Sequence, residues 1–171
     1  TMAATLPRES PSDPGASLLS ASGAARDAWL DECRDLLQRL LPGADFSREM
    51  ALTLEHGLGD AALVRHEGTL TGFVLWHAAP LALGRGIEDV RILKLAEVDD
   101  RSLARLLAVA ERAAGRAGGA RLLVRCQTAY PDAFARLVAS GYRVHWTDLR
   151  MTLTGYEERP AGGTVFSNWE I

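Results

Sequence analysis

The residue types that most often carry chemistry are few and scattered in this sequence. Cys33 and Cys126 lie far apart, with no second cysteine or histidine at ligand spacing, so no metal site is predicted. His77 and His145 can each titrate near neutrality, but a histidine without a positioned partner is more often structural. The one Gly-x-Gly sequence, at residues 84–86, precedes a predicted strand and not a helix, which indicates a loop and not a phosphate cradle.

An acidic segment precedes the longest predicted helix. Residues 97–100 read Glu-Val-Asp-Asp, and either Asp99 or Asp100 can accept a hydrogen bond from the first amides of that helix. Carboxylates at this place also complement the positive end of the helix dipole. Helix capping is therefore the predicted role of these side chains, and their charge would oppose an anionic ligand.

Composition indicates one α/β domain preceded by an arm. The 171 residues are 47% hydrophobic, which is enough for one core, and 22 acidic against 19 basic residues argue against nucleic acid as a partner. The apolar runs are shorter than the ~20 residues of a membrane span, so we expect a cytoplasmic protein. Residues 1–24 are rich in Pro, Ser, Ala and Gly and predict a flexible arm or linker, in which only Leu18 and Leu19 favour a short strand. Residues 25–171 form the predicted domain.

Hydrophobic periodicity predicts the order of the elements. Two helices come first, then a hairpin, a buried strand, a long helix, a second buried strand, a short helix and a final pair of strands. Strand, helix and strand in succession predict a parallel pair. The fold class is therefore α/β, a mixed sheet with a central parallel strand pair flanked by helices. The segments that carry this order are residues 26–41, 47–57, 62–77, 90–96, 99–119, 122–126, 131–141, 142–146 and 149–153.

Two segments add a local resemblance to this order. The sequence AALVRHEGTLTGFVLW, residues 61–76, resembles the second and third strands of the GNAT superfamily of N-acetyltransferases. The sequence FARLVASGYRV, residues 134–144, resembles the segment that ends in Gly-aromatic in many members. The resemblance covers residues 26–153 and implies transfer of an acetyl group from acetyl-CoA to an amine of a small molecule or a peptide.

The resemblance also implies which residues would bind acetyl-CoA. Backbone at Leu95 and Ala96 matches the position that polarises the thioester carbonyl. Arg101 and Ser102 match the helix start at which the family binds the pyrophosphate. The family has a glycine-rich loop there, whereas residues 97–103 contain no glycine and the loop is a couple of residues shorter.

Catalytic roles follow from the same resemblance. The family often takes its general base from a carboxylate on or before the central strand. One common position falls on Asp89 and another on Arg91, so the candidates for the base are Asp89 and its neighbour Glu88. Many members take the general acid from a tyrosine shortly before the Gly-aromatic pair, but Leu137 stands there, so Tyr130 is the substitute. As alternatives, an acidic pair at a strand entry is a solvated edge, and Tyr130 packs with its hydroxyl at a rim.

Two functions remain open from the sequence. The first is a GNAT-type N-acetyltransferase, and the second is a catalytically degenerate GNAT domain that acts as a ligand-sensing or assembly module, such as one half of a tandem protein. The apolar tail VFSNWEI, residues 165–171, predicts a homodimer through the C-terminal strands, because we expect it to add to a sheet edge or to cover a neighbouring face.

Overall fold

The structure is a computed structural model, and it describes residues 1–6, 16–80, 84–149, 155 and 162–167. The helices in these residues are α1 (Arg26–Leu40), α2 (Ser47–Glu55), α3 (Asp100–Arg116) and α4 (Pro131–Ala139), with short 3₁₀ turns at Leu19–Ala21 and Gly23–Ala25. The strands are β1 (Met2–Thr5), β2 (Ala16–Leu18), β3 (Gly59–His66), β4 (Thr69–His77), β5 (Asp89–Glu97), β6 (Arg121–Val124), β7 (Arg143–Val144) and β8 (Thr164–Ser167).

The strands form one mixed sheet in the order β2-β3-β4-β5-β6-β1-β7, and β8 pairs with β5. The β5–β6 pair is parallel and is connected through α3, while the other pairs are antiparallel. The predicted mixed sheet with a central parallel pair is therefore confirmed. A β-bulge between β3 and β4 leaves Thr71 without an opposite residue in β3. Thr71 precedes Gly72, and a glycine within a strand often indicates a bulge.

Each face of the sheet is covered by helices. On one face α3 presents the predicted stripe of Leu103, Leu106, Leu107 and Ala110, all buried against strand residues. On the other face α1 and α2 bury a second cluster, in which Leu36, Leu37, Leu40 and Met50 pack with Phe73 and Leu75 of β4. Full burial of each such side chain contributes about 1.5–3 kcal/mol, so the two apolar clusters account for the docking of the helices on the sheet.

The helix termini follow from local chemistry. Asp99 is the N-cap of α3 and accepts a hydrogen bond of 2.7 Å from the Ser102 amide. Pro131 begins α4, where a missing amide hydrogen costs nothing. Gly141 follows α4 with a φ of 92°, which favours glycine. The N-cap of α2 is Phe46, and Ser47, the first helical residue, donates its amide hydrogen bond to Asp45.

The beginning of the chain differs from the expected flexible arm. Met2–Thr5 is a strand between β6 and β7, with Met2 opposite both Val124 and Val144 and only 2% exposed. Composition missed it because this strand is held by backbone hydrogen bonds along its two edges and by a single buried side chain. The short strand expected at Leu18 is confirmed as β2; residues 7–15 lie outside the described part of the chain.

The apolar tail adds a strand to this chain's own sheet. Residues 164–167 of β8 pair antiparallel with residues 94–97 of β5. Because β4 covers the other edge of β5 over residues 91–97, β8 lies on the edge that faces β6. The predicted addition to a sheet edge occurs within the chain, and homodimerisation stays a prediction. The strand expected at 149–153 lies almost entirely outside the described residues, as do residues 168–171.

The buried position of Met2 predicts that the first strand contributes to stability. Met2→Asp should lower the free energy of unfolding by at least about 3 kcal/mol, because it removes a buried apolar side chain and buries a charge. Thr5→Asp is the control within the same strand, since Thr5 is exposed, and should change it by less than about 0.5 kcal/mol. Urea unfolding followed by circular dichroism measures both. Equal effects would show that β1 is not part of the folded sheet.

Candidate functional site

A cleft of about 440 Å³ opens at the carboxyl ends of the central strands. It lies between the first turns of α3 and α4, and β8 forms one wall. This volume is within the range of small-molecule sites. The cleft is lined by Glu97, Val98, Asp99, Asp100, Ala129, Tyr130, Pro131, Asp132, Ala133, Gly163 and Thr164.

The cleft exists because the two parallel strands separate. β5 and β6 pair only where residues 89–91 face residues 121–123. Beyond this point β8 replaces β6 along β5. The chain then turns from each parallel strand into the helix that follows it, and the two helix N-termini flank the cleft. In open sheets ligands bind at such carboxyl ends of the strands.

The walls of the cleft are acidic. Four carboxylates line it, and none of the described lining residues is a lysine, arginine or histidine. Asp99 caps α3, and Asp100 forms an ion pair with Arg136 of α4. Asp132 is in the first turn of α4. Carboxylates at the helix N-termini satisfy the helix dipoles internally.

The fourth carboxyl group, Glu97, is buried. Its residue is only 2% exposed, and its Oε2 has no hydrogen-bond partner. Burial raises the pKa of Glu97 to about 7; a hydrogen bond from the Thr164 hydroxyl opposes this shift, and the nearby charges of Asp100 and Asp99 add to it. A buried carboxyl oxygen without a hydrogen-bond partner is costly.

The residues expected to bind the acyl donor are engaged in the fold. Leu95 and Ala96 are fully buried, with β4 on one side and Phe166 and Val165 of β8 on the other. Ser102 gives its amide to Asp99 and its hydroxyl to Thr71, at 2.9 Å. Arg101 is exposed and does not line the cleft.

These contacts do not fit acetyl-CoA. Its thioester arm needs the edge of β5 that β8 occupies, and its pyrophosphate needs helix amides that face negative side chains here.

The structure separates the expected catalytic residues. Arg121 binds Glu88 at 3.0 Å and Asp89 at 2.7 Å, at the amino end of β5. The cleft and Tyr130 lie at the other end, about 26 Å away along the strand. Glu88, which is exposed, and Asp89, which is largely buried, are therefore ion-pair partners of Arg121 at a partly solvated edge, and neither lies beside the cleft.

The aromatic candidate Tyr130 lines the cleft, but its ring is packed against the fold. Tyr130 is half-buried, and its ring meets that of Phe166 edge-on with centroids 5.8 Å apart. Leu137, which replaces the family's tyrosine, is fully buried. Tyr142 donates a hydrogen bond of 2.8 Å to Glu111, and burial together with that carboxylate raises the pKa of its phenol.

Sequence reasoning misses three residues of the cleft. The sequence groups Glu97 with the capping carboxylates, although it ends a strand whose alternation places it on the same face as Leu95. That alternation could have identified it as buried. Thr164 and Asp132 carry no signal, because only the tertiary fold brings them to Glu97.

Comparisons with known proteins support the fold. The ribosomal-protein-alanine N-acetyltransferase of Brucella melitensis biovar Abortus 2308 superposes with a TM-score of 0.59 at 16% identity, covering 81% of this chain and 98% of that one. TTHA1254 from Thermus thermophilus superposes with a TM-score of 0.55 at 20% identity, over 77% and 95% of the chains. The chain has a GNAT-like fold. No protein-family model and no curated protein sequence matches it.

Among the described residues, no group of three or more His, Cys, Asp or Glu side chains is arranged to hold a metal ion. None of the described helices is long and apolar enough to cross a membrane.

The raised pKa of Glu97 predicts a specific pH dependence of stability. The folded state keeps this proton up to about pH 7, whereas the unfolded state loses it near 4.5, so stability falls as the pH rises through that window. Glu97→Gln cannot ionise and removes the effect. The free energy of unfolding of this variant minus that of the native chain should therefore increase by up to about 3 kcal/mol between pH 4 and 8. Urea unfolding at intervals of one pH unit measures this difference.

The matched control for this experiment is Glu88→Gln, since Glu88 is exposed at the other end of β5. Its stability difference from the native chain should not increase with pH in this way. A constant difference between Glu97→Gln and the native chain would show that Glu97 ionises normally.

Proposed function

We propose that this chain is a non-catalytic, GNAT-like ligand-binding domain. In it, β8 fills the gap between β5 and β6 in which the family would hold its acyl donor. The pairing of β8 with residues 94–97 of β5 is the observation that carries this proposal. The ligand-binding place of the domain is the acidic cleft beside β8.

Burial of β8 supports a permanent role for it in the sheet. Thr164, Val165 and Phe166 are each less than 9% exposed, and Phe166 belongs to the same apolar cluster as α3 and Leu95. Removing β8 would expose these side chains and one backbone edge of β5, which is unfavourable. The gap is therefore part of the packed core.

The remaining features point the same way. The helix start that would bind a pyrophosphate carries Asp99 and Asp100, and the position of the family's acid is Leu137. The expected base candidates are held by Arg121 at the far end of β5. A ligand-binding domain needs none of these groups, whereas acetyl transfer needs replacements for all of them.

The second candidate is an N-acetyltransferase that transfers acetyl from acetyl-CoA to an amine, as the fold suggests. It requires β8 to leave β5. The structure offers a means of testing this, because a Cβ on Gly163 would lie 2.1 Å from the carbonyl oxygen of Glu97, whereas one on Gly162 would meet nothing within 4 Å. Gly163→Val should therefore displace the start of β8, and Gly162→Val should not.

The prediction is that acetyl-CoA binds neither the native chain nor these two variants. Isothermal titration at high micromolar protein measures binding, and release of free thiol across a panel of amines measures turnover. Thermal melting establishes that each variant is folded.

Two outcomes would contradict the proposal. Thiol release by the native chain would establish an enzyme whose donor gap opens by itself. Binding of acetyl-CoA by Gly163→Val, but not by the native chain or by Gly162→Val, would establish an acetyl-CoA site that β8 blocks reversibly.

A further inference from the structure

We infer that two copies of this chain associate through the outward face of α4, as an antiparallel pair of α4 helices. This face consists of Phe134, Ala135, Val138 and Ala139, which are all exposed. None of the four lines the acidic cleft, so the inference is independent of the proposed function.

The helix α4 is apolar on two opposite sides. Ala133 and Leu137 are buried in the core beneath it. On the outward face Phe134 and Val138 remain 41% and 42% exposed. A helix that is hydrophobic all round is normally covered all round. The outward face of α4 therefore calls for a partner, because the described residues of this chain leave it open to solvent.

The ion pair between Arg136 and Asp100 shows where this face points. It turns Arg136 towards α3. Phe134 and Val138 are each two residues away from Arg136, which is about 160° around an α-helix. Both side chains therefore point away from α3, towards the end of the sheet at which β7 lies.

More exposed apolar side chains lie at the same end of the sheet. Val144 of β7 is opposite Met2, which places it on the side of the sheet that α4 covers, and it is 53% exposed. Arg143 donates to the Val138 carbonyl oxygen at 3.4 Å, so β7 adjoins the end of α4. Of the seven large exposed hydrophobic side chains in the described residues, five lie within residues 134–149. Such a concentration marks an interaction surface.

A second copy fits this face because the face is self-complementary. In a two-fold pair, residue i of one copy contacts residue j of the other, and j contacts i. Two antiparallel α4 helices place Phe134 beside the partner's Val138 on the flank near β7. On the other flank they place Ala135 beside the partner's Ala139, where the small side chains let the backbones approach closely. The antiparallel helix dipoles also attract each other.

The charges at the two ends of α4 favour the same direction. Asp132 is in the first turn, and the Arg143 guanidinium is at the other end, where it donates to the carbonyl oxygens of Val138 and Tyr142. Among the described residues neither Asp132 nor Arg143 has an ion-pair partner. An antiparallel pair brings Asp132 to the level of the partner's Arg143, at the edge of the cleft that Asp132 lines, whereas a parallel pair brings like charges together.

Sedimentation equilibrium between about 1 µM and 1 mM of the full chain tests for this dimer. A helix of nine residues forms a small interface, so we expect a reversible dimer whose average mass falls towards half on dilution. Val138→Glu should weaken association about a hundredfold or more, because the two-fold symmetry buries two carboxylates in the apolar centre. Leu52→Glu is the matched control, since Leu52 in α2 is 38% exposed, and it should associate like the native chain.

Charge reversal tests the antiparallel direction. Asp132→Arg and Arg143→Asp should each weaken association about tenfold, because each creates two pairs of like charges in the dimer. The double variant should restore association. Thermal melting establishes that each variant is folded. Should Val138→Glu fail to fold, these reversals test the same surface without changing its apolar centre.

The inference is overturned if the native chain is a monomer over the whole concentration range, which would leave the face to a different protein. It is also overturned if Val138→Glu associates like the native chain, or if Leu52→Glu weakens association equally. Failure of the double variant to restore association rejects the antiparallel arrangement.

Discussion

The pairing of β8 with the second half of β5 is the interaction on which the rest of this structure depends. A buried strand needs hydrogen-bond partners on both edges, and β5 loses β6 as a partner after Arg91. In a protein that binds a ligand along this edge, the ligand can supply those partners. In this chain residues 164–167 supply them, together with the apolar side chains Val165 and Phe166. The same strand therefore completes the sheet and fills the gap.

The acidic cleft is a consequence of that arrangement. With the gap filled, the cavity that remains lies beyond the end of β5, between the N-termini of α3 and α4. Helix N-termini usually attract anions, but the first turns here carry Asp99, Asp100 and Asp132. Glu97 adds a carboxyl group inside the fold, where burial and its acidic neighbours favour the protonated form. The cleft is consequently acidic, although its place in the fold is one that suits a phosphate.

Much of the fold could be predicted from the sequence because it depends on local patterns. The stripe of leucines in α3, the cap at Asp99 and the left-handed turn at Gly141 each depend on a few neighbouring residues. The strands β1 and β8 do not. Each is four residues long, and its partners are more than 60 residues away in the sequence. Their register is determined by which backbone edges the rest of the sheet leaves unpaired, and no local window contains that information.

The site was harder to predict for the same reason. Glu88 and Asp89 have the right residue types in a plausible place, but Arg121 comes from a strand that pairs beside them and converts them into an ion-pair cluster. Conversely, Glu97 resembles one more capping carboxylate until the strand alternation places it inward, under Thr164. In both cases the chemistry of a carboxyl group is determined by its neighbours across the sheet, not by its neighbours in the sequence.

Glu97 also connects the cleft to the strand that fills the gap. Its hydrogen bond from Thr164 is made by the first residue of β8, and that bond is stronger when the carboxyl group is ionised. Protonation of Glu97 therefore weakens this one bond to β8, although burial favours the protonated form overall. The filled gap and the acidic cleft thus share one contact, between the buried carboxyl group of Glu97 and the first residue of β8.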